Sequence, residues 1–206
     1  MKKKMSLILN LLIVIFEIIG FVITLNLTHR IAIEYYTEDS NILALFSSLL
    51  FVIYLISNKK IPRWLELFKY MTTICLTVTF LVVIFILAPM YNFNYYYMLF
   101  YHNLLFQHLL CPIISIITFI FFDKMSILDK KDSMIGISLT LLYGFILIIL
   151  NLFKLIEGPY PFLMIYKQPI YMSIIWFILI IGLSYFISVY LRKLYLKYGG
   201  SNENRK

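Results

Sequence analysis

Six apolar blocks, each close to twenty residues long, recur along the chain and are separated by short polar segments. A helix needs about 20 apolar residues to cross a bilayer, so the pattern predicts an all-α integral membrane protein with six transmembrane helices. The predicted helices lie near residues 5–27, 40–57, 67–87, 104–122, 134–153 and 170–191. They would form one bundle over residues 1–198, followed by a disordered polar tail at 199–206.

Composition and charge agree with this interpretation. Hydrophobic residues make up 62% of the chain and charged residues only 14%, against about 25% charged in a soluble domain. With a cytoplasmic N-terminus, 15 of the 18 lysines and arginines fall on the cytoplasmic side. This asymmetry predicts that both termini are cytoplasmic and argues against nucleic acid binding as the reason for the net charge of +8. Abundant Ile, Lys, Asn and Tyr favour a bacterial cell membrane.

Polar residues at helical spacing predict a polar bundle interior that opens toward the non-cytoplasmic side. Lipid cannot satisfy polar groups, so those on one helix face must point at protein or water. The fifth block carries a face of small residues suited to close helix packing. The residues that form these faces are Asn10, Glu17, Thr24 and Thr28; Thr37, Ser40, Asn41, Ala44 and Ser48; His108, Cys111, Ser115, Thr118 and Phe122; and Gly136, Thr140 and Gly144.

Glu17 lies near the middle of the first block, where an ionised carboxylate is costly. We expect no lysine within the membrane to pair with it. The expected state is a neutral Glu17 that hydrogen-bonds to an Asn, Thr or Tyr side chain, with Tyr54, Tyr143 and Tyr185 as candidates.

His108 is the strongest candidate for chemistry, because it would lie about two helical turns inside the membrane from the non-cytoplasmic face. Thr37 begins the second helix on the same side, and a neutral imidazole is a suitable base for a hydroxyl nucleophile. Ser40 or Asn41 could donate to an oxyanion, and Asp39 or Glu38 could orient the imidazole. Alternatively, Thr37 or Asp39 simply caps the second helix.

Three short motifs resemble the bacterial Pr6Pr-type membrane proteins, which are themselves similar to the androgen-induced-gene family of six-helix membrane hydrolases. The motifs are Thr37-x-x-Ser40-Asn41, His108-Leu109-Leu110-Cys111-Pro112 and Gly158-Pro159-Tyr160-Pro161-Phe162. The resemblance implies hydrolysis of fatty acid esters of hydroxy fatty acids, with an intramembrane threonine as nucleophile and a histidine as base. By position these would be Thr37 and His108. Membrane lipids and a fatty-acyl substrate would be the partners, with no cofactor or metal, and a homo-oligomer is one expected assembly.

The same residues are also compatible with other functions. Cys111 shares a predicted face with His108 and could act as an acyl-accepting nucleophile. His102 is an alternative base. A metal-dependent membrane hydrolase is another possibility, with His29, His102, His108 and carboxylates of the outer loops as zinc ligands, although neither HxxxH nor HExxH spacing is present. In a different class, Glu17 and His108 would line the interior of a small transporter, channel or sensor.

Overall fold

A computed structural model describes residues 1–199, which form helices and turns and contain no β-strand. Six of its helices are long and apolar enough to cross a membrane, which confirms the prediction of an all-helical, multi-pass architecture. The predicted tail falls outside the described residues except for Gly199, which ends the last helix. In chain order the helices are α1 (Lys2–Thr28), α2 (Tyr36–Ile56), α3 (Arg63–Met90), the short α4 (Tyr95–Phe100), α5 (Leu105–Phe122), α6 (Lys130–Leu152) and α7 (Ile170–Gly199).

The long helices alternate in direction, so both ends of the described chain lie on one side of the bundle, which we call the terminal side. Contacts there join the beginning of α1 to the end of α5, through a hydrogen bond from Ser6 to Asp123. They also join the beginning of α3 to the beginning of α6, through a salt bridge between Arg63 and Asp132. The opposite side carries the α1–α2 turn, α4 and the long α6–α7 connection.

Helix α3 occupies the centre of the bundle. In its most apolar stretch 67% of the residues are buried, against 22% in α7. Tyr70 and Ile74 of α3 are fully buried, and the Tyr70 ring stacks on Phe119 of α5 at 5.3 Å between centroids. The large apolar side chains that remain exposed on α1, α6 and α7 suit contact with lipid tails.

Two of the spanning helices contain wide π-helical turns next to a proline. The segment Val83–Leu87 precedes Pro89, and the segment Leu105–Leu110 precedes Pro112. Proline lacks the amide hydrogen and its ring collides with the carbonyl four residues earlier, so an ordinary α-turn is disfavoured there. The wider turns change the direction in which the following side chains point.

The predicted small-residue face of the fifth block lies at a close approach of helices. A Cβ atom on Gly136 would lie only 2.6 Å from Ile74 Cδ1 and 2.7 Å from Ser188 Oγ. One turn later, the Thr140 hydroxyl lies 2.8 Å from the Tyr36 hydroxyl and accepts a 3.3 Å hydrogen bond from Ser184. Close packing of α6 against α3 and α7 therefore favours a glycine at 136.

Candidate functional site

Thr37 is the second residue of α2 and lines a largely apolar cavity on the opposite side of the bundle. The helix begins without a side-chain cap, so the Thr37 hydroxyl is not used for capping. Instead, the Thr37 backbone N–H donates to the Tyr160 hydroxyl at 3.4 Å. The cavity has a volume of about 60 Å³, and Tyr160, Phe162 and Trp176 form part of its aromatic wall. Burial raises the pKa of the Tyr160 phenol, so this hydroxyl stays protonated.

His108 lies in the π-helical part of α5 and is buried against α4. Its Nδ1 is 2.9 Å from the Met98 carbonyl oxygen. A carbonyl only accepts hydrogen bonds, so Nδ1 carries the proton and donates it to that oxygen. Nε2 is then left as the acceptor nitrogen of a neutral imidazole, which is the form that a general base requires.

The structure does not join Thr37 to His108. No hydrogen bond connects them among residues 1–199, and His108 is absent from the walls of the Thr37 cavity. The Ser40 hydroxyl lies 2.8 Å from Thr79 Oγ1, and Asp39 faces a separate groove between α2 and α6. His102 is exposed on the turn after α4. The residues predicted for one catalytic site therefore lie in different surroundings.

Polar side chains are instead concentrated where α1, α2, α3 and α5 meet. We call this set the polar column, and all of its members are buried except the partly buried Glu38 and Asn103. Its members are Ser6, Asn10, Glu17 and Thr24 of α1; Glu38, Asn41 and Ser48 of α2; Lys69 and Thr73 of α3; and Asn103, Gln107, Cys111, Ser115 and Asp123 within or beside α5.

Amide side chains form the part of the column nearest the opposite side. Asn103 Nδ2 donates to Thr24 Oγ1 and to Gln107 Oε1, each at 3.0 Å. Gln107 crosses α1 at Gly20, where a Cβ atom would meet Gln107 Cγ at 3.1 Å. The Glu38 carboxyl lies beside Gln107 in the first turn of α2. Because Glu38 is only partly buried, it connects the column with the surface on this side.

Glu17 lies at the centre of the column and is fully buried. Its polar neighbour is Cys111, but neither carboxyl oxygen has a hydrogen-bond partner of ordinary geometry among the described residues. The expected hydrogen bond to an Asn, Thr or Tyr side chain is therefore not formed. Cys111 is itself a buried free thiol that lies 4.0 Å from the Ile13 carbonyl oxygen.

Lys69 is the main correction to the sequence prediction, which placed no lysine within the membrane. The side chain is 1% exposed, and its ammonium donates to Ser48 Oγ at 2.8 Å. The ammonium also lies 5.9 Å from the centre of the Phe51 ring. Both Glu17 and Asp123 are near enough to interact with it electrostatically. The prediction was wrong because α3 begins six residues before Lys69, about 9 Å along the helix axis.

Asp123 is the member of the column that lies at the terminal side, and it directly follows the last residue of α5. Its Oδ1 accepts hydrogen bonds from Ser6 Oγ at 2.6 Å and from Asn10 Nδ2 at 3.0 Å. Burial raises the pKa of the Asp123 carboxyl, while Lys69 and the two donors oppose that rise. The charged form is thus supported by one distant cation and two hydrogen bonds, although the residue is only 1% exposed.

The column holds most of the unsatisfied polar atoms of the described residues. Nine buried side-chain nitrogen or oxygen atoms lack a hydrogen-bond partner, and seven of them belong to the column. Buried groups without partners are rare, and each calls for water, an ion or a proton. The seven are Asn10 Oδ1, Glu17 Oε1 and Oε2, Glu38 Oε2, Asn41 Oδ1, Gln107 Nε2 and Asp123 Oδ2.

Helical spacing could have identified part of this column. Asn103, Gln107, Cys111 and Ser115 recur every four residues, and this spacing fits the wide turns at the start of α5. The predicted face used His108 in place of Gln107, because it assumed ordinary α-helical geometry throughout. In the structure Gln107 points to α1 and His108 points to α4.

The arrangement of possible metal ligands does not support a metal site. Within residues 1–199, no three His, Cys, Asp or Glu residues lie close enough together to hold a metal ion. His29 directly follows α1, His102 is exposed after α4 and His108 is buried against α4, so the three histidines have different surroundings. No protein-family model, curated protein or solved structure matches the chain.

Proposed function

We propose that the protein carries protons through the membrane along the polar column. The observation that supports this function is the set of carboxyl groups at three depths, the partly buried Glu38 and the buried Glu17 and Asp123, each with at least one oxygen that lacks a partner among the described residues. Intramembrane carboxyl groups are expensive when ionised, and proton relays use such groups because each can exist in a neutral form.

The three carboxyl groups are separated by polar side chains that can hold proton-carrying water. Asn10 contacts Asp123, and Glu17 lies seven residues further along α1, a rise of about 10 Å. Direct transfer over that distance is excluded, so Lys69 or ordered water would bridge it. Between Glu17 and Glu38, ordered water that hydrogen-bonds to Gln107 and to the Cys111 thiol would carry the proton.

Lys69 supplies the positive charge that makes proton release possible in this interior. It lies within electrostatic reach of both Glu17 and Asp123 and forms no direct salt bridge among the described residues. Its ammonium therefore favours ionisation of either carboxyl group without holding one of them in a fixed pair. A proton arriving at one carboxyl group would then shift the balance toward ionisation of the other.

Orientation and location complete the proposal. The concentration of lysine and arginine on the terminal side favours a cytoplasmic position for both termini. Protons would then enter from the non-cytoplasmic face at Glu38 and leave at Asp123. The composition favours the cell membrane of a bacterium, with membrane lipids as direct partners.

Proton flux into liposomes tests this function. Purified protein is reconstituted with a pH-sensitive dye inside the vesicles, and a potassium gradient with valinomycin supplies the driving voltage. We expect wild-type protein to acidify the lumen faster than protein-free vesicles, and Glu17→Gln to reduce the rate to that background. Glu157→Gln is the matched control, because this carboxylate is 61% exposed and pairs with Lys167 outside the column.

Two outcomes contradict the proposal. The first is a wild-type proton flux that equals the flux into protein-free vesicles both at positive and at negative voltage. The second is an equal flux in wild type and Glu17→Gln, since the central carboxyl group would then carry no proton.

A lipid-ester hydrolase is the second candidate, and the cavity at Thr37 favours it. An apolar cavity of about 60 Å³ beside a hydroxyl group has room for the few acyl carbons next to an ester, and the rest of the chain would lie outside it. In this mechanism Thr37 Oγ attacks the ester carbonyl, His108 takes the hydroxyl proton and returns it to the departing alcohol, and water then releases the acid. Such a step requires a movement that brings the His108 imidazole to Thr37.

A hydrolysis assay on the purified protein decides this candidate. The substrate is a fatty acid ester of a hydroxy fatty acid, and the released acid is measured by mass spectrometry. We expect wild-type turnover that Thr37→Ala and His108→Ala both abolish. Equal turnover by all three proteins, or none by wild type, would remove the hydrolase from consideration.

A further inference from the structure

A groove of about 930 Å³ lies between α2 and α6 and is separate from both the polar column and the Thr37 cavity. Its walls are apolar along most of their length, with Ile42 and Leu43 on α2 and Leu139, Leu142 and Ile146 on α6. The edge-to-face pair of Tyr36 and Tyr143, with ring centroids 5.0 Å apart, lines both this groove and the neighbouring Thr37 cavity. The groove is thus a second site that shares only this tyrosine pair with the Thr37 cavity.

The length of the groove corresponds to one leaflet of a bilayer. Its α6 wall runs from Leu139 to Leu150, and the eleven helical steps between these residues span about 16 Å of helix axis. Half of a hydrocarbon core is about 15 Å thick. The polar mouth lies at the Leu150 end, where the α1–α2 turn and the α6–α7 connection meet the bundle. An acyl chain of the leaflet on the opposite side would therefore fit along the wall with its headgroup at the mouth.

Among the described residues, those that line the mouth of the groove include the cation Arg30 and the carboxylates Glu34, Asp39 and Glu157. Arg30 is 68% exposed and contacts Glu34 at 2.6 Å, and Glu157 is paired with Lys167 from the neighbouring loop. Asp39 is the carboxylate at this mouth that has no salt bridge or hydrogen-bonded side-chain partner among the described residues. An anionic headgroup would be repelled by this excess of carboxylates, whereas a headgroup with an ammonium group would be attracted.

From this geometry we propose that the groove binds phosphatidylethanolamine from the surrounding leaflet. The primary ammonium of its headgroup contacts Asp39, and its phosphate contacts the exposed Arg30 guanidinium. One acyl chain lies along the α6 wall past Leu142. The positive and negative groups of the zwitterionic headgroup thus each meet an opposite charge at the mouth, and the apolar length of the groove matches the thickness of one leaflet.

Native mass spectrometry of the detergent-purified protein tests this site. The protein is mixed with equal amounts of phosphatidylethanolamine and phosphatidylglycerol that carry identical acyl chains. We expect wild type to retain the ethanolamine lipid in preference by about 1.4-fold to fivefold, the range for one partly exposed ion pair. Asp39→Asn should bring the ratio close to one while leaving the bound total similar.

A steric variant tests the apolar wall independently. Leu142→Trp fills the groove and should lower retention of both lipids, whereas Leu179→Trp on α7 should not. The two leucines are matched, because they are 55% and 54% exposed and both lie on lipid-facing helix surfaces. Equal retention of the two lipids by wild type, or equal effects of the two tryptophan variants, would overturn the proposal.

Discussion

The close approach at Gly136 allows a quantitative prediction about stability. A methyl group added there would lie 2.6 Å from Ile74 Cδ1, 2.7 Å from Ser188 Oγ and 3.0 Å from Tyr70 Cε1. All three neighbours are fully buried. Ser188 also donates to the Ser133 carbonyl at 2.8 Å and contacts the Tyr70 hydroxyl at 2.7 Å, so moving it disturbs two hydrogen bonds.

The expected magnitude follows from opposing effects in Gly136→Ala. Overpacking of a filled core costs about 1–3 kcal/mol, and a disturbed buried hydrogen bond costs about 1 kcal/mol more. Alanine returns at most about 1 kcal/mol through its higher helix propensity. We therefore expect the free energy of unfolding to fall by about 1–3 kcal/mol. Gly182→Ala is the control, because a Cβ atom there has no contact within 4 Å; it should be neutral or stabilising by up to about 1 kcal/mol.

Unfolding by SDS in mixed micelles, followed by tryptophan fluorescence, measures both variants. Trp176 is a suitable reporter, because its ring packs 5.3 Å from Phe162 and loses that contact on unfolding. The reasoning is refuted if Gly136→Ala is as stable as wild type. It is also refuted if the two alanine variants lose equal stability, since the loss would then not depend on the close contacts.

Three further predictions use the same protein. Asp123→Asn should lower the free energy of unfolding by about 2 kcal/mol in the SDS titration, because two hydrogen bonds lose their charged acceptor; no change would contradict a role for the carboxylate in packing. Tyr195→Phe should lower the free energy of unfolding by about 2 kcal/mol. The Tyr195 hydroxyl accepts a hydrogen bond from the Met125 backbone N–H at 3.0 Å and donates one to the Met125 carbonyl oxygen at 2.7 Å, and phenylalanine removes both. The control Tyr190→Phe, at a side chain 53% exposed, should stay within about 0.5 kcal/mol of wild type. Cys75 and Cys111 are buried free thiols and should react with a maleimide only after SDS is added, as seen by mass; rapid native labelling would show that reagent reaches the interior.

Helix number and approximate position could be predicted from the sequence, because hydropathy depends on local composition and on the thickness of the bilayer. The small-residue face at Gly136 and Thr140 was also visible, since residues four apart share a helix face. The depth of Lys69 was missed for a simple reason. A charged residue near the end of an apolar block is usually assigned to the interface, but α3 begins at Arg63 and carries Lys69 inside.

The composition of the polar column depended on tertiary structure. Hydropathy determines that a helix crosses the membrane, but it leaves open the rotation of that helix and the identity of its neighbours. At α5 the wide turns before Pro112 direct Gln107 toward α1 and His108 toward α4. Distant parts of the chain, such as Ser6 and Asp123, then meet only because α1 and α5 pack with opposite directions. The sequence by itself therefore determined six apolar helices with polar residues inside them, and helix rotation and packing decided which of those residues share a site.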